Sequence, residues 1–354
     1  MRRSTGMKIR RGTLPLPLLA ALTVAALIAS GCGATTSAAS SGETITLYNA
    51  QHEQTTDALI AAFTAQTGIK VNVRSNGEDV LTAQIEQEGA KSPADVFYTE
   101  NSPWLEQLDR THLLAKVDPT TLQQVPATDS GASGDWVGVS ARVSALIYNT
   151  DDLTPSQLPT SVLDLADPRW KGKLDLAPAE TDFWPIVSSV AKTYGQARAL
   201  AWLRALKANA GSNASTPDNE TVTSDVSQGS SQLAVINHYY FYRLRAEVGK
   251  SAVHASLAYF APHDPGYALD ISGAAVLASS KHQAAAQKLI AFLTSTTGQT
   301  ILAHSDSFEY PLGAHVAANP ALRPFDQLQP NSFSVAELGT GEDAKTLLQQ
   351  AQLI

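Results

Sequence analysis

From Thr44 onward the chain alternates short β-branched runs with segments of helical period, and this alternation limits the possible folds more than any other feature. Ile45–Tyr48 reads as a strand, and Thr55–Thr67 sets Leu59, Ile60 and Phe63 at helical spacing before Gly68 closes the helix. Val71–Val73 is a second strand, Asp79 an expected N-cap for a helix over Val80–Glu88, and Asp95–Tyr98 a third strand. Such a pattern calls for an α/β fold with a mostly parallel sheet covered on both faces. Two extended stretches, Trp136–Val139 and Ala145–Tyr148, have little helix between them and suit a chain crossing between two lobes. A second α/β series follows: Leu174–Ala177, helices near Phe183–Tyr194 and Ala197–Ala208, a polar loop Asn209–Asn219, and a strand Gln232–Ile236. Ile271–Leu277 reads as a return crossing, and helices near Ala284–Leu293 and Ala344–Gln352 close the chain.

The first 31 residues stand apart from this series. Arg2, Arg3, Lys8, Arg10 and Arg11 precede an apolar run from Leu14 to Ala29. That run is too short for a membrane span and carries Pro15 and Pro17, so a secretory leader is expected over residues 1–31. Cys32, the single cysteine, follows directly and is the expected lipidation site of a lipoprotein held at the outer face of a bacterial cytoplasmic membrane. Residues 32–43 are rich in Ser, Ala, Thr and Gly and read as a flexible tether. Loss of the five leader cations takes the formal net charge from −8 to −13, which argues against nucleic acid and anionic lipid as partners. Without a second cysteine the remaining chain, roughly 320 residues, must rely on a large core and suffices for two lobes.

Three expected strand ends bear metal-competent side chains. The first runs into Gln51 and His52, the third into Glu100 and Asn101, and the later strand into Asn237, His238, Tyr239 and Tyr240. Ligands of open α/β sheets sit beyond such carboxyl ends. One imidazole, one carboxylate and two phenolates suit a hard trivalent cation, whereas thiolate or all-imidazole sets suit softer metals. A phenol has a free pKa near ~10, so only a strongly charged ion would hold two of them deprotonated at neutral pH. Carboxylate and phenolates together cancel three positive charges, and four protein ligands leave roughly two octahedral places for water or a small anion. Each residue also has an ordinary explanation: His52 as a hydrogen-bonded edge histidine, Glu100 as an acid at a helix N-terminus, the tyrosines as wall residues continued by Tyr242.

Longer segments carry a family likeness: Tyr48–His52, Ser92–Glu100, Asp167–Lys173, Ile236–Tyr242, His263–Gly266 and Ser272–Val276. From about Thr44 onward the chain resembles the periplasmic ferric-ion-binding proteins of bacterial ABC importers. The resemblance implies His52, Glu100, Tyr239 and Tyr240 as ligands of Fe3+. It also implies a type II periplasmic-binding-protein fold whose two lobes, 44–142 plus 270–320 and 143–269 plus 321–354, share a two-strand hinge. A monomer that delivers its ion to a membrane permease is the corresponding expectation. Many members of the family add a synergistic anion, and Asn101, Asn219 and Asn237 fall at or near the positions that donate to it. Here Glu180, Thr181 and Asp182 replace a small-residue loop before the helix expected from Phe183. An acidic side chain capping that helix would occupy the donors an anion needs and repel phosphate. Carbonate bound elsewhere, water, or direct ligation by Glu180 or Asp182 remain open.

Two other functions compete. The same receptor class could carry a ferric chelate or an organic solute such as a polyamine or thiamine-like compound, but relatives with such cargo lack the tyrosine pair and the Thr99-Glu100 strand end. An extracytoplasmic enzyme ranks last, because the sequence contains no HExxH, no GxSxG and no glycine-rich phosphate loop.

Overall fold

The computed structural model describes residues 42–354. The leader 1–31, Cys32 and all but the last two residues of the tether 32–43 lie outside the described residues. Nine strands form the sheet: β1 Thr44–Ala50, β2 Lys70–Ser75, β3 Val96–Thr99, β4 Val137–Asn149, β5 Leu174–Asp175, β6 Leu233–Asn237, β7 Ala255–Ala258, β8 Leu269–Val276 and β9 Tyr310–Pro311. The order is β2-β1-β3-β8-β4-β6-β5, with β7 and β9 also paired to β4.

The sheet is mixed, within the mostly parallel or mixed arrangement expected of the fold. β1 pairs in parallel with β2 and β3, and β5 with β6, as crossover helices require. Every pair involving β4 or β8 is antiparallel, because these strands cross between two α/β series and belong to no β-helix-β unit. The two extended stretches read near Trp136 and Ala145 are one strand of 13 residues, buried throughout. Ser140, Arg142 and Ser144 interrupt its apolar run, which is why its continuity is hard to read from sequence. Its first half pairs with β8 and β9, and its second half with β6 and β7.

The helices pack as the apolar spacing demands. Leu59, Ile60 and Phe63 bury one face of Glu53–Thr67, and Gly68 ends that helix in the left-handed region at φ 72°. The next helix starts at Glu78, so Asp79 lies inside its first turn and is not the cap. Glu78 is drawn to the start of the helix Ser102–Arg110, where it accepts from Thr99, Asn101 and Trp104. The expected loop 209–219 is shorter, because one helix runs to Ala210 and another, Asn219–Gln228, opens behind Asp218 as N-cap. His238–Val248 is also helical, although its aromatic start has modest helix propensity. Among the described residues no helix is long and apolar enough to cross a membrane.

Gly138 lies where the β4–β8 register shifts, and a Cβ there would come within 2.1 Å of the Asp129 carbonyl oxygen. Because the obstacle is backbone, Gly138→Ala is expected to lower unfolding free energy by about 1–3 kcal/mol. Urea denaturation measures this, and an unchanged midpoint would contradict the tight approach.

Candidate metal centre

Each side chain of interest stands where a strand passes into a helix. β1 ends in Gln51 and His52, and His52 is the N-cap residue of Glu53–Thr67. β3 runs into Glu100, after which Asn101 opens Ser102–Arg110. β6 passes through Asn237 into His238–Val248, which sets Tyr239 and Tyr240 in the first helical turn. Asp182 sits in the short 3-10 turn Thr181–Phe183, ahead of Trp184–Tyr194. Negative charge at these helix starts is favoured by the backbone dipoles.

The four side chains proposed from sequence converge. His52 Nδ1 lies 3.1 Å from Glu100 Oε1, and the Tyr239 hydroxyl donates to Glu100 Oε2 at 3.4 Å. The Tyr239 ring packs edge-on to His52, with centroids 5.3 Å apart, and lies 4.1 Å from the Tyr240 ring. Tyr239 and Tyr240 also belong to an apolar cluster with Val222, Val226 and Ile236, so the wall-residue explanation holds for the rings while the hydroxyls turn inward. Among the described residues no three His, Cys, Asp and Glu side chains are grouped so as to hold a metal ion. An ion at this point therefore depends on the phenols.

Burial sets the protonation. His52 is pushed down to about 4, so its imidazole is neutral. With Nδ1–H turned to Glu100, the buried Nε2 keeps a free lone pair and has no hydrogen-bond partner. Burial lifts Glu100 to about 8, opposed by the Arg142 guanidinium and reinforced by Asp182 and Glu309. Tyr239 and Tyr240 are raised well above the ordinary phenol value, first by burial and then by Asp182. Two phenols, a neutral imidazole and a protonated carboxyl therefore share one buried point, and each can offer a stronger donor once its proton leaves.

Asp182 does not cap the helix as expected from sequence: neither it nor Glu180 accepts a capping bond at Trp184–Tyr194. Its carboxylate turns into the site, where it accepts from Tyr240 at 2.9 Å and from Asn219 at 3.3 Å. Its other oxygen lies 3.5 Å from Arg142 Nη2. A phenol, an amide and a guanidinium form a better donor set than a single helix end, which explains the choice. Glu180 and Thr181 stay at the edge, lining a cavity of about 710 Å3 with Gln51, Glu78, Glu100, Asn101, Trp104 and Trp184. Burial pushes Glu180 up to about 8, with Asp182 adding to the rise. Asn101 accepts from Arg142 Nη2 at 2.6 Å, whereas the buried Asn237 side chain has no hydrogen-bond partner in good geometry among the described residues.

Sequence reasoning missed Arg142 and Glu309. Arg142 is fully buried in mid-β4, and its Nη1 donates to Glu309 at 3.2 Å. Glu309 also accepts from Ser140 and from Gln51. The available signal was a lone cation inside the apolar run Val139–Ile147, since such a residue is rarely buried unpaired.

Known proteins share the family and the fold of this chain. The family described as bacterial extracellular solute-binding protein matches residues 91–330. The chain is similar to the Fe(3+)-binding periplasmic protein of Serratia marcescens, 41% identical over 94% of this chain and 96% of that protein. It is 38% identical to the major ferric iron-binding protein of Neisseria meningitidis, over 87% of this chain and 92% of the relative. The iron-bound crystal structure of HitA from Pseudomonas aeruginosa superposes with a TM-score of 0.83 at 42% identity, covering 88% of this chain and 99% of that one.

Arg142→Met would leave Asp182 and Glu309 without their guanidinium inside the protein. Removing one partner of a buried ionic cluster typically costs about 3–5 kcal/mol. A loss of that size is expected in urea unfolding at neutral pH, and a change below about 1 kcal/mol would show that the cluster is held by other contacts.

Proposed function

Because this chain belongs to the bacterial extracellular solute-binding proteins, in the branch that carries ferric iron, we propose that it captures Fe3+ between two lobes and hands it to an ABC importer. The lobes are residues 44–142 plus 270–320 and 143–269 plus 321–354, hinged on β4 and β8. The change of pairing partners halfway along β4 supports that division. We assign the chain no catalytic activity. It acts as a monomer outside the cytoplasmic membrane, tethered through a lipid on Cys32 after removal of the leader.

The observation that carries the reading is the meeting of His52, Glu100, Tyr239 and Tyr240, with a buried lone pair on His52 Nε2 that nothing else uses. In this reading His52 Nε2, one Glu100 oxygen and the two phenolate oxygens ligate the ion. Fe3+ favours anionic oxygen and is charged enough to displace protons from phenols that burial otherwise keeps neutral.

We propose that Asp182 takes the place of a synergistic anion, either as a further ligand or as the acceptor beside Tyr240. Its contacts with Asn219, Tyr240 and Arg142 are those an external anion would seek. Arg142 offsets the extra negative charge, and a free phosphate would meet a carboxylate already in position. Asn101 and Asn219 hold this arrangement, while Glu180 and Thr181 border its entrance. No specific contact recruits Asn237.

Both phenols and Glu100 carry protons at neutral pH in the iron-free protein, so binding must release them. Affinity then rises with pH and falls on acidification, about a thousandfold per pH unit for three displaced protons. Ferric binding followed by the phenolate-to-iron charge-transfer absorption should show this slope, and Tyr239→Phe with Tyr240→Phe should abolish the colour. A flat response, or colour surviving in that variant, would exclude phenolate ligation. Iron affinity should also be unchanged when phosphate and carbonate are removed, whereas Asp182→Ala should make binding depend on added anion. Anion dependence in the unaltered protein would overturn the role given to Asp182.

A further inference from the structure

The hinge holds an unpaired acid opposite a cation engaged elsewhere. Arg142 and Asp270 are direct cross-strand neighbours in the antiparallel β4–β8 pair. Facing residues of such a pair project on the same side of the sheet. The guanidinium nevertheless turns away: Nη1 goes to Glu309, and Nη2 to Asn101 and toward Asp182, while Nε has no hydrogen-bond partner among the described residues. Asp270 is 3% exposed, and neither carboxylate oxygen has a partner among the described residues. The Asn237 amide leans toward it without closing a hydrogen bond. The small cavity that Asp270 lines with Ser102 and Ser188 measures about 10 Å3, which is at the lower limit for one water. That space cannot satisfy a carboxylate able to accept about four hydrogen bonds.

The position of this pair gives the mismatch a consequence. β4 and β8 are the hinge strands of the proposed function, on which this inference rests. Asn101 and Asp182, which compete with Asp270 for the guanidinium, come from opposite lobes of that reading. We propose that Arg142 and Asp270 form a two-position latch that positions the iron ligands. In the arrangement described above, which the proposal takes as the closed one, Arg142 bridges Asn101 and Asp182 and leaves Asp270 unpaired. When the lobes part, those two acceptors separate, and the guanidinium turns to the carboxylate facing it across the hinge. Asp270 thus favours the open, iron-free form. Iron ligation by groups of both lobes outweighs it, because the ion binds the closed form alone. A receptor that must surrender its cargo gains from such a counterweight, since it keeps the empty protein open and hastens release.

The test is Asp270→Asn, with Asp270→Ser as a second variant should the first fold poorly. Thermal melting confirms folding in each case. In the iron-free state, small-angle scattering should show the variant shifted toward the smaller radius of gyration of the iron-loaded protein. Release of iron to excess EDTA should slow by about tenfold, as expected when an opposing preference of ordinary allosteric size is removed. A purely structural role for Asp270 would change the melting temperature and leave both readouts alone. An unchanged iron-free radius together with a release rate within about twofold of the unaltered protein would overturn the latch. The iron-free measurement needs no bound metal, so failure of the unaltered protein to bind iron would refute the function without deciding the latch.

Discussion

The guanidinium of Arg142 sits where Glu100, Asp182 and Glu309 point toward one another, and among the described residues it is the only Lys or Arg side chain within 4.0 Å of any of them. Acidic groups crowded together in the interior are costly without a partner, and a cation between them offsets that cost. Arg142 lets Asp182 and Glu309 point inward beside residues from both ends of the chain. Its planar fork matters as much as its charge, because the two terminal nitrogens reach different partners. Asp182 is held inward by Arg142 together with Tyr240 and Asn219, and Asn101 is seated by Arg142 together with Glu78.

Around that anchor the site is held short of its final electronic state. Phenols above their ordinary pKa and a carboxyl near about 8 hold protons that a weakly charged visitor could not remove. In the proposed function a trivalent ion would do so, turning neutral hydrogen-bonding groups into anionic ligands. Discrimination then follows from charge as well as size. Divalent cations gain less from the same deprotonation, and burial raises its cost. On that proposal the same arrangement would also provide for release, since protons and iron would compete for the same oxygens.

The legible part of the site was the part carried by local grammar. His52, Glu100 and the tyrosine pair each end a hydrophobic run, and a strand end in an α/β sheet points to the ligand crevice. The helix His238–Val248 was not legible, because its aromatic start and mixed propensities suit a wall as well as a helix. Asp79 and Asp182 were both read as caps, as short-range rules suggest, yet in both cases a partner distant in sequence changed the outcome. The helix holding Glu78 starts two residues earlier than expected, with Glu78 bonded to Thr99 and Asn101, and Arg142 and Tyr240 draw Asp182 inward. Arg142 showed only as an interruption of an apolar run.

Periodicity and residue chemistry alone therefore determined an α/β architecture with two series of elements, crossings near residues 136–139, 145–148 and 271–277, and the kinds of donor the site contains. These features depend on neighbours within one helical turn or one strand, where the backbone repeat transmits the information directly. Only the tertiary structure decided the antiparallel pairing of the crossing strands, the inward turn of Asp182, the burial of Arg142 and the unpaired state of Asp270. Those outcomes turn on competition among charged groups up to 167 residues apart, as between Arg142 and Glu309. In a low-dielectric interior the best available partner wins, and local sequence does not encode which partner that is.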